Sequence, residues 1–110
     1  MATITEVLGS TEQLARFFPK LPAVRVSARI APLRAASPAR LQESVIVEYG
    51  SEEYAIFSST LPLEFADRVR LSRDGGRSAE ASVIALQYHE GRKAVAVRFL
   101  DGPCEWMRQP

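Results

Sequence analysis

Three short apolar runs in the C-terminal half of the chain alternate with turn-forming segments. The runs cover residues 68–71, 81–88 and 94–100, and the segments between them, 74–77 and 89–92, combine Gly with charged residues. Separators of this kind between apolar runs are typical of β-hairpins. The pattern therefore predicts a three-stranded antiparallel meander. Strict alternation makes its middle strand apolar on nearly both faces, as in a barrel or sandwich.

A strand with one apolar face and one basic face is predicted at residues 23–30. Valine, alanine and isoleucine alternate there with polar residues that include Arg25 and Arg29. A period of two is the signature of a half-buried strand. Pro32 ends the regular pairing, and residues 34–40 are expected to form a loop or an irregular edge.

Two further strands are predicted at residues 43–49 and 54–58, joined by a turn at 50–53. Residues 61–65 then lead to the meander, with Pro62 placed where no ladder donor is needed. The sequence thus predicts six strands, and no two of them are separated by the long helical connection that a βαβ unit needs. We therefore expect an all-β fold, built as a six-stranded antiparallel split barrel.

A short N-terminal helix is predicted, capped by Ser10 or Thr11 and ended by the prolines that follow. Leu14, Phe17 and Phe18 would lie on one side of it. A helix of about two turns is not stable alone in water, so this side must pack on another surface. The barrel or a second subunit would supply that surface.

The domain boundaries follow from these elements. We expect a helical segment at 1–22, the barrel at 23–100 and a C-terminal tail at 101–110. The tail is too short for more than one helical turn. Its Trp106 is expected to fold back and cover an open end of the barrel.

Composition narrows the functional classes. The 110 residues carry 14 Lys and Arg against 13 Asp and Glu, and the net charge of +1 gives no bulk attraction for nucleic acid or anionic membrane. Apolar runs are far shorter than the roughly 20 residues of a membrane-spanning helix. One cysteine and no recognisable signal peptide suit a cytoplasmic protein.

The chain offers little for catalysis or metal binding. His89 and Cys104 do not provide the ligand set of a zinc site, and no glycine-framed serine marks a nucleophile. Residues 74–77 have the composition of a hairpin turn and lack the spacing of a phosphate-binding loop. Cys104 has no evident basic neighbourhood to activate it. We therefore expect neither an enzyme nor a bound metal or cofactor.

The connection and the strands after it resemble the PilZ family of bacterial β-barrel domains. The similarity lies in residues 61–71, 81–84 and 94–100, and it covers roughly residues 23–100. Many members of this family are receptors for the second messenger cyclic di-GMP. The resemblance implies a barrel fold and a role in signalling.

The family binds its ligand through two signatures. Arg25 and Arg29 match the first, Arg-x-x-x-Arg, and two guanidinium groups suit phosphate oxygens and the edge of guanine. The second signature is Asp or Asn-x-Ser-x-x-Gly. Only Ser51 matches it, because Tyr49 and Tyr54 replace its first and last residues.

These matches lead to a main hypothesis and two alternatives. The main hypothesis is a PilZ-like signalling domain with weakened or lost cyclic di-GMP binding, which contacts a partner protein through the Phe17 and Phe18 helix or the Trp106 tail. In this hypothesis the partner is either a different protein or a second copy of the chain, which would form a homodimer through the same surfaces. The first alternative is a working receptor that uses Arg25, Arg29 and Ser51, with Tyr49 or Tyr54 stacking on guanine.

The second alternative is a small nucleic-acid-binding barrel. Arg68, Arg70 and Arg73 recur with a period near two and could join Arg25 and Arg29 in a basic stripe. The tyrosines would then supply stacking, as in single-strand binding proteins. The small net charge makes nucleic acid the weaker expectation.

Overall fold

The chain folds into a closed six-stranded antiparallel barrel with one short helix, as the sequence predicts. The computed structural model describes residues 10–18, 20–33, 41–73, 76–89 and 91–107, so the predicted loop at 34–40 lies outside the described residues. The strands are β1 (Ala23–Pro32), β2 (Glu43–Gly50), β3 (Tyr54–Ser59), β4 (Arg68–Arg73), β5 (Arg77–His89) and β6 (Arg92–Phe99). Helix α1 (Ser10–Ala15) precedes them, and a 3-10 helix (Glu105–Met107) follows. The strand order around the barrel is β1, β2, β3, β6, β5, β4.

The barrel closes through a short seam between β1 and β4. Residues 29–32 of β1 pair with residues 69–72 of β4, whereas the first half of β1 pairs with β2 alone. A bulge between Ala23 and Val26 further bends this first half. The two strands therefore part at one end of the seam and leave an opening in the barrel wall.

Alternating apolar residues fill the barrel interior. Phe57 of β3 is fully buried in this core, where it is joined by valine, isoleucine and leucine side chains from the other five strands. Leu61 and Leu63 of the connection before β4 are also buried there. The outward neighbours on β1, including Arg25 and Arg29, are exposed as the alternation predicts.

The middle strand of the meander departs from the predicted strict alternation. A register shift lies between Val83 and Ala85 of β5. As a result, Val83 and Leu86 pack with the interior core, and Ile84 and Ala85 pack with an outer cluster. The extra residue of a bulge reverses the faces of the residues after it, which explains why simple alternation fails here.

The outer cluster is the surface on which α1 packs. Leu14 is buried against Ile56, Ala94 and Ala96 on the outside of the barrel, and Phe18 packs beside them. The helix therefore uses its own barrel as its packing surface.

The prediction that Phe17 packs with Leu14 and Phe18 is wrong. The helix ends at Ala15, and the amides of Phe17 and Phe18 bond to the carbonyls of Leu14 and Ala15, three residues earlier. Because both residues lie in tight turns beyond the helix, Phe18 still reaches the outer cluster, but Phe17 does not share the apolar face of the helix. Phe17 is left 76% exposed.

Thr11 ties the helix to the barrel. Its side chain is buried, and its hydroxyl donates to a Glu48 carboxylate oxygen of β2 at 2.6 Å. The hydroxyl therefore bridges two elements, which is a different use from the predicted cap. A partly buried bond to a charged acceptor is among the stronger hydrogen bonds in proteins.

The C-terminal tail is part of the core, which confirms the prediction that Trp106 folds back on the barrel. Cys104, Trp106 and Met107 are buried in the interior cluster, and the Cys104 amide donates to the Glu52 carbonyl at 2.9 Å. The Met107 side chain packs directly against Gly50, since a Cβ added to this glycine would stand only 3.0 Å from it. Trp106 is thus not available as the partner-docking tail considered in the sequence analysis.

Candidate functional site

An arginine-rich groove opens beside the β1–β4 seam. It consists of two adjoining depressions that share Ser27 of β1 and Arg73 of β4. The first, of about 640 Å³, is completed by Arg25 and Arg77. The second, of about 380 Å³, is further lined by Ala28, Arg29, Ser44, Val45, Ile46 and Ser72. We call the two depressions together the basic groove.

The basic groove concentrates positive charge in a chain that is nearly neutral. None of the described residues that line it is acidic. The side chains of Arg25, Arg29 and Arg77 form no hydrogen bond or ion pair with another described residue. Arg73 donates from Nη1 to the Trp106 carbonyl at 3.2 Å, which holds its side chain beside the opening.

A second groove lies where the turns after α1 meet the start of β3. The rings of Phe18 and Tyr54 are in contact there, with centroids 5.5 Å apart and planes tilted by 50°. The groove has a volume of about 470 Å³ and is lined by Phe17, Phe18, Lys20, Leu21, Ser51, Glu53 and Tyr54. We call it the aromatic groove.

Ser51 has a structural use in the turn between β2 and β3. Its Oγ accepts hydrogen bonds from the backbone amides of Glu53 and Tyr54 at 3.1 and 3.3 Å. Its own amide donates to the Tyr54 carbonyl at 2.8 Å. Such serine turns satisfy backbone donors that would otherwise lack partners.

Tyr49 lies in the outer cluster beside α1 and lines neither groove. Burial raises the pKa of its hydroxyl, and the nearby charges of Glu12 and Glu48 raise it further. The phenol is therefore neutral at physiological pH and packs as part of the helix contact.

The structure does not bring the five predicted ligand residues together. Arg25 and Arg29 line the basic groove, Ser51 and Tyr54 line the aromatic groove, and the two grooves share no lining residue. The Cα atoms of Arg25 and Arg29 are themselves about 13 Å apart along β1, since an extended strand rises about 3.3 Å per residue.

Sequence reasoning missed Arg77 as a groove residue because it was placed in the turn. In the structure Arg73 and Arg77 are cross-strand partners, so the loop between them has only three residues. Gly76 takes the left-handed conformation, with φ of 85°, that three-residue hairpin loops require. Counting back from this glycine would have predicted the pair.

The structure does not place the two tyrosines beside the arginines of the basic stripe predicted for nucleic acid. Arg70 is engaged with Glu80 at 3.3 Å. Tyr49 and Tyr54 lie by α1 and Phe18, away from the basic groove. Single-strand binding needs aromatic platforms along the charged track, and the described residues do not provide them.

The other titratable groups of interest serve the fold. Burial raises the pKa of the Cys104 thiol to about 11, so it stays protonated and unreactive near neutral pH. Burial also tends to raise the pKa of Glu43, but hydrogen bonds from Ser59 and Thr60 and the charge of Arg92 lower it overall. In the described ranges, no group of three or more His, Cys, Asp or Glu side chains could hold a metal ion.

Comparison with known proteins identifies no relative. No protein-family model, curated protein sequence or solved structure matches the chain. Among the helices in the described ranges, none has the length and apolar character needed to cross a membrane.

Proposed function

We propose that the chain is a PilZ-like bacterial signalling domain that acts as a non-enzymatic protein-interaction module in the cytoplasm, with cyclic di-GMP binding weakened or lost. The barrel fold and the family-like segments 61–71 and 94–100 support the first part. The observation that carries the second part is the separation of Arg25 and Arg29 from Ser51.

The commitment of Ser51 to its own turn strengthens this proposal. The Oγ of Ser51 already accepts two backbone bonds, so it can offer a ligand only its hydroxyl proton and no further lone pair. Glu52 and Glu53 follow it directly, and their charges repel the phosphates of a cyclic dinucleotide. A ligand that touched both signatures would have to span two separate grooves.

We expect calorimetric titration with cyclic di-GMP to give no binding at high micromolar ligand. The physical reason is that Arg25 and Arg29 line one groove and Ser51 lines another, so one ligand cannot contact both signatures. Ser51→Ala serves as the matched probe of the second signature and should leave the titration unchanged. Micromolar binding that is lost in both Arg25→Ala and Ser51→Ala would show a working receptor instead.

The aromatic groove is the interaction surface that we propose. Phe17 projects 76% exposed at its edge, beside the Phe18 and Tyr54 ring pair. Exposed aromatic side chains around a pocket are the usual anchors of protein interfaces. A partner that inserts an apolar side chain would find Leu21 and these rings as its walls.

Phe17→Ser should abolish partner binding while leaving the fold intact. An exposed side chain contributes little to stability, so the free energy of unfolding should change by less than about 0.5 kcal/mol. The control is Phe65→Ser, at a residue that is 71% exposed on the connection before β4. Cross-linking in cells and sedimentation of the purified chain would measure hetero- and self-association. Equal association of wild type and Phe17→Ser in both measurements contradicts the proposed surface.

A further inference from the structure

The β4–β5 hairpin places two like charges directly opposite each other at the basic groove. Arg73 and Arg77 are cross-strand partners, and such partners have Cα atoms about 4.5–5.5 Å apart. Arg25 adds a third guanidinium to the same depression, with the hydroxyl residue Ser27 beside it.

We propose that the basic groove is a binding site for an oligoanion made of linked phosphate groups. An anion seated in the first depression would accept forked hydrogen bonds from the guanidinium groups of Arg77 and Arg25, with Arg73 lining the same depression. Ser27 lines both depressions and can donate its hydroxyl to a further phosphate oxygen. The site rests on this geometry and does not depend on the proposed protein-interaction role.

The extent of the groove selects a chain of phosphates over a single phosphate. Arg25 and Arg29 stand about 13 Å apart along β1, with Arg73 lining the groove at both depressions. A single phosphate contacts one end of this arrangement, whereas linked phosphates reach several guanidiniums at once. The second depression continues the hydroxyl lining with Ser44 and Ser72.

The lining also indicates that the phosphates, and no attached base, are recognised. None of the described lining residues is aromatic, so a nucleobase has no stacking partner in the groove. The groove therefore differs from a cyclic dinucleotide site, in which guanine contacts are part of recognition. Its affinity should come from charge and should fall steeply as salt is raised.

Calorimetry with inorganic tripolyphosphate at low salt tests the site. Wild type should bind, and Arg77→Gln should weaken binding by about tenfold or more because it removes charge-assisted hydrogen bonds. The matched control is Arg68→Gln, an exposed arginine of β4 that is paired with Ser82 and lies outside the groove. It removes the same charge and should change the affinity by less than about twofold.

Comparison of ligands separates the outcomes. Tripolyphosphate and ATP should bind with similar affinity, and orthophosphate should bind much more weakly. Absence of binding by tripolyphosphate, or equal losses in Arg77→Gln and Arg68→Gln, overturns the site. A strong preference for ATP or for a single-stranded oligonucleotide overturns the claim that phosphates alone are recognised. Because Arg77 lies outside both family signatures, this result is independent of the cyclic di-GMP titration.

Discussion

Phe57→Ala should destabilise the barrel by about 3–5 kcal/mol, a large part of the roughly 5–15 kcal/mol that stabilises a typical domain. Phe57 is fully buried on β3, where it pairs with Val47 of β2 and Val95 of β6. Truncation removes its apolar contacts and leaves a cavity that strand pairing on both sides prevents from collapsing. Denaturant unfolding followed by far-ultraviolet circular dichroism measures the loss.

Phe17→Ala is the matched control, since it deletes the same atoms from an exposed position. It should change the unfolding free energy by less than about 0.5 kcal/mol. If Phe57→Ala does not fold, Phe57→Leu gives a graded version, with an expected cost of about 1–2 kcal/mol. A loss under about 0.5 kcal/mol in Phe57→Leu, or equal losses in Phe57→Ala and Phe17→Ala, would contradict the position of Phe57 in the core.

The barrel was predictable because most strands obey one simple periodicity. On β1 the alternation of Val26, Ala28 and Ile30 with exposed residues is unbroken, and the structure follows it residue by residue. Turn glycines mark the ends of the meander strands in the same local way, as at Gly91, with φ of 83°. Local rules of this kind can be read from sequence alone.

The errors arose where a tertiary contact overrides the local pattern. The bulge after Val83 adds one residue, so Ala85 faces outward and Leu86 inward, the reverse of strict alternation, and no Gly or Pro signals it. Phe17 matched an apolar helix face only while the helix was assumed to continue beyond Ala15. In both cases the deciding information is the length of an element, which pairing and packing determine.

The candidate site was only half predictable for a related reason. Alternation correctly placed Arg25 and Arg29 on the outer face of β1. Their distance from Ser51 and their proximity to Arg77 depend on which strands become neighbours, and the β1–β4 seam joins residues about forty positions apart. No local pattern encodes that seam, so a motif found along the chain does not establish a site in space.

The opening beside that seam gives the basic groove its position. β4 reaches Arg73 after its pairing with β1 has ended at Ser72, and β1 begins several residues before its pairing starts at Arg29. At this unpaired end, the Trp106 carbonyl of the C-terminal tail accepts the Arg73 hydrogen bond. The tail therefore supports the core and one wall of the groove together.

Trp106→Ala should cost about 3–5 kcal/mol of stability, which is the second large effect that we expect. The indole is buried in the interior cluster with Met107 and Cys104, although it belongs to a tail of ten residues. Removing it takes a large apolar surface from the core, and the short 3-10 helix has no independent stability to compensate. Circular dichroism with denaturant measures the loss in the variant.

Glu105→Ala is the control, because Glu105 is an exposed residue of the same 3-10 helix and should leave stability within about 0.5 kcal/mol of wild type. In wild type, fluorescence of the single Trp106 should report the same transition midpoint as circular dichroism, since one cooperative unit unfolds at once. A fluorescence transition well before the loss of strand structure would mean that the tail detaches separately. That result, or a Trp106→Ala cost as small as that of Glu105→Ala, would restore the tail as a surface free to dock a partner.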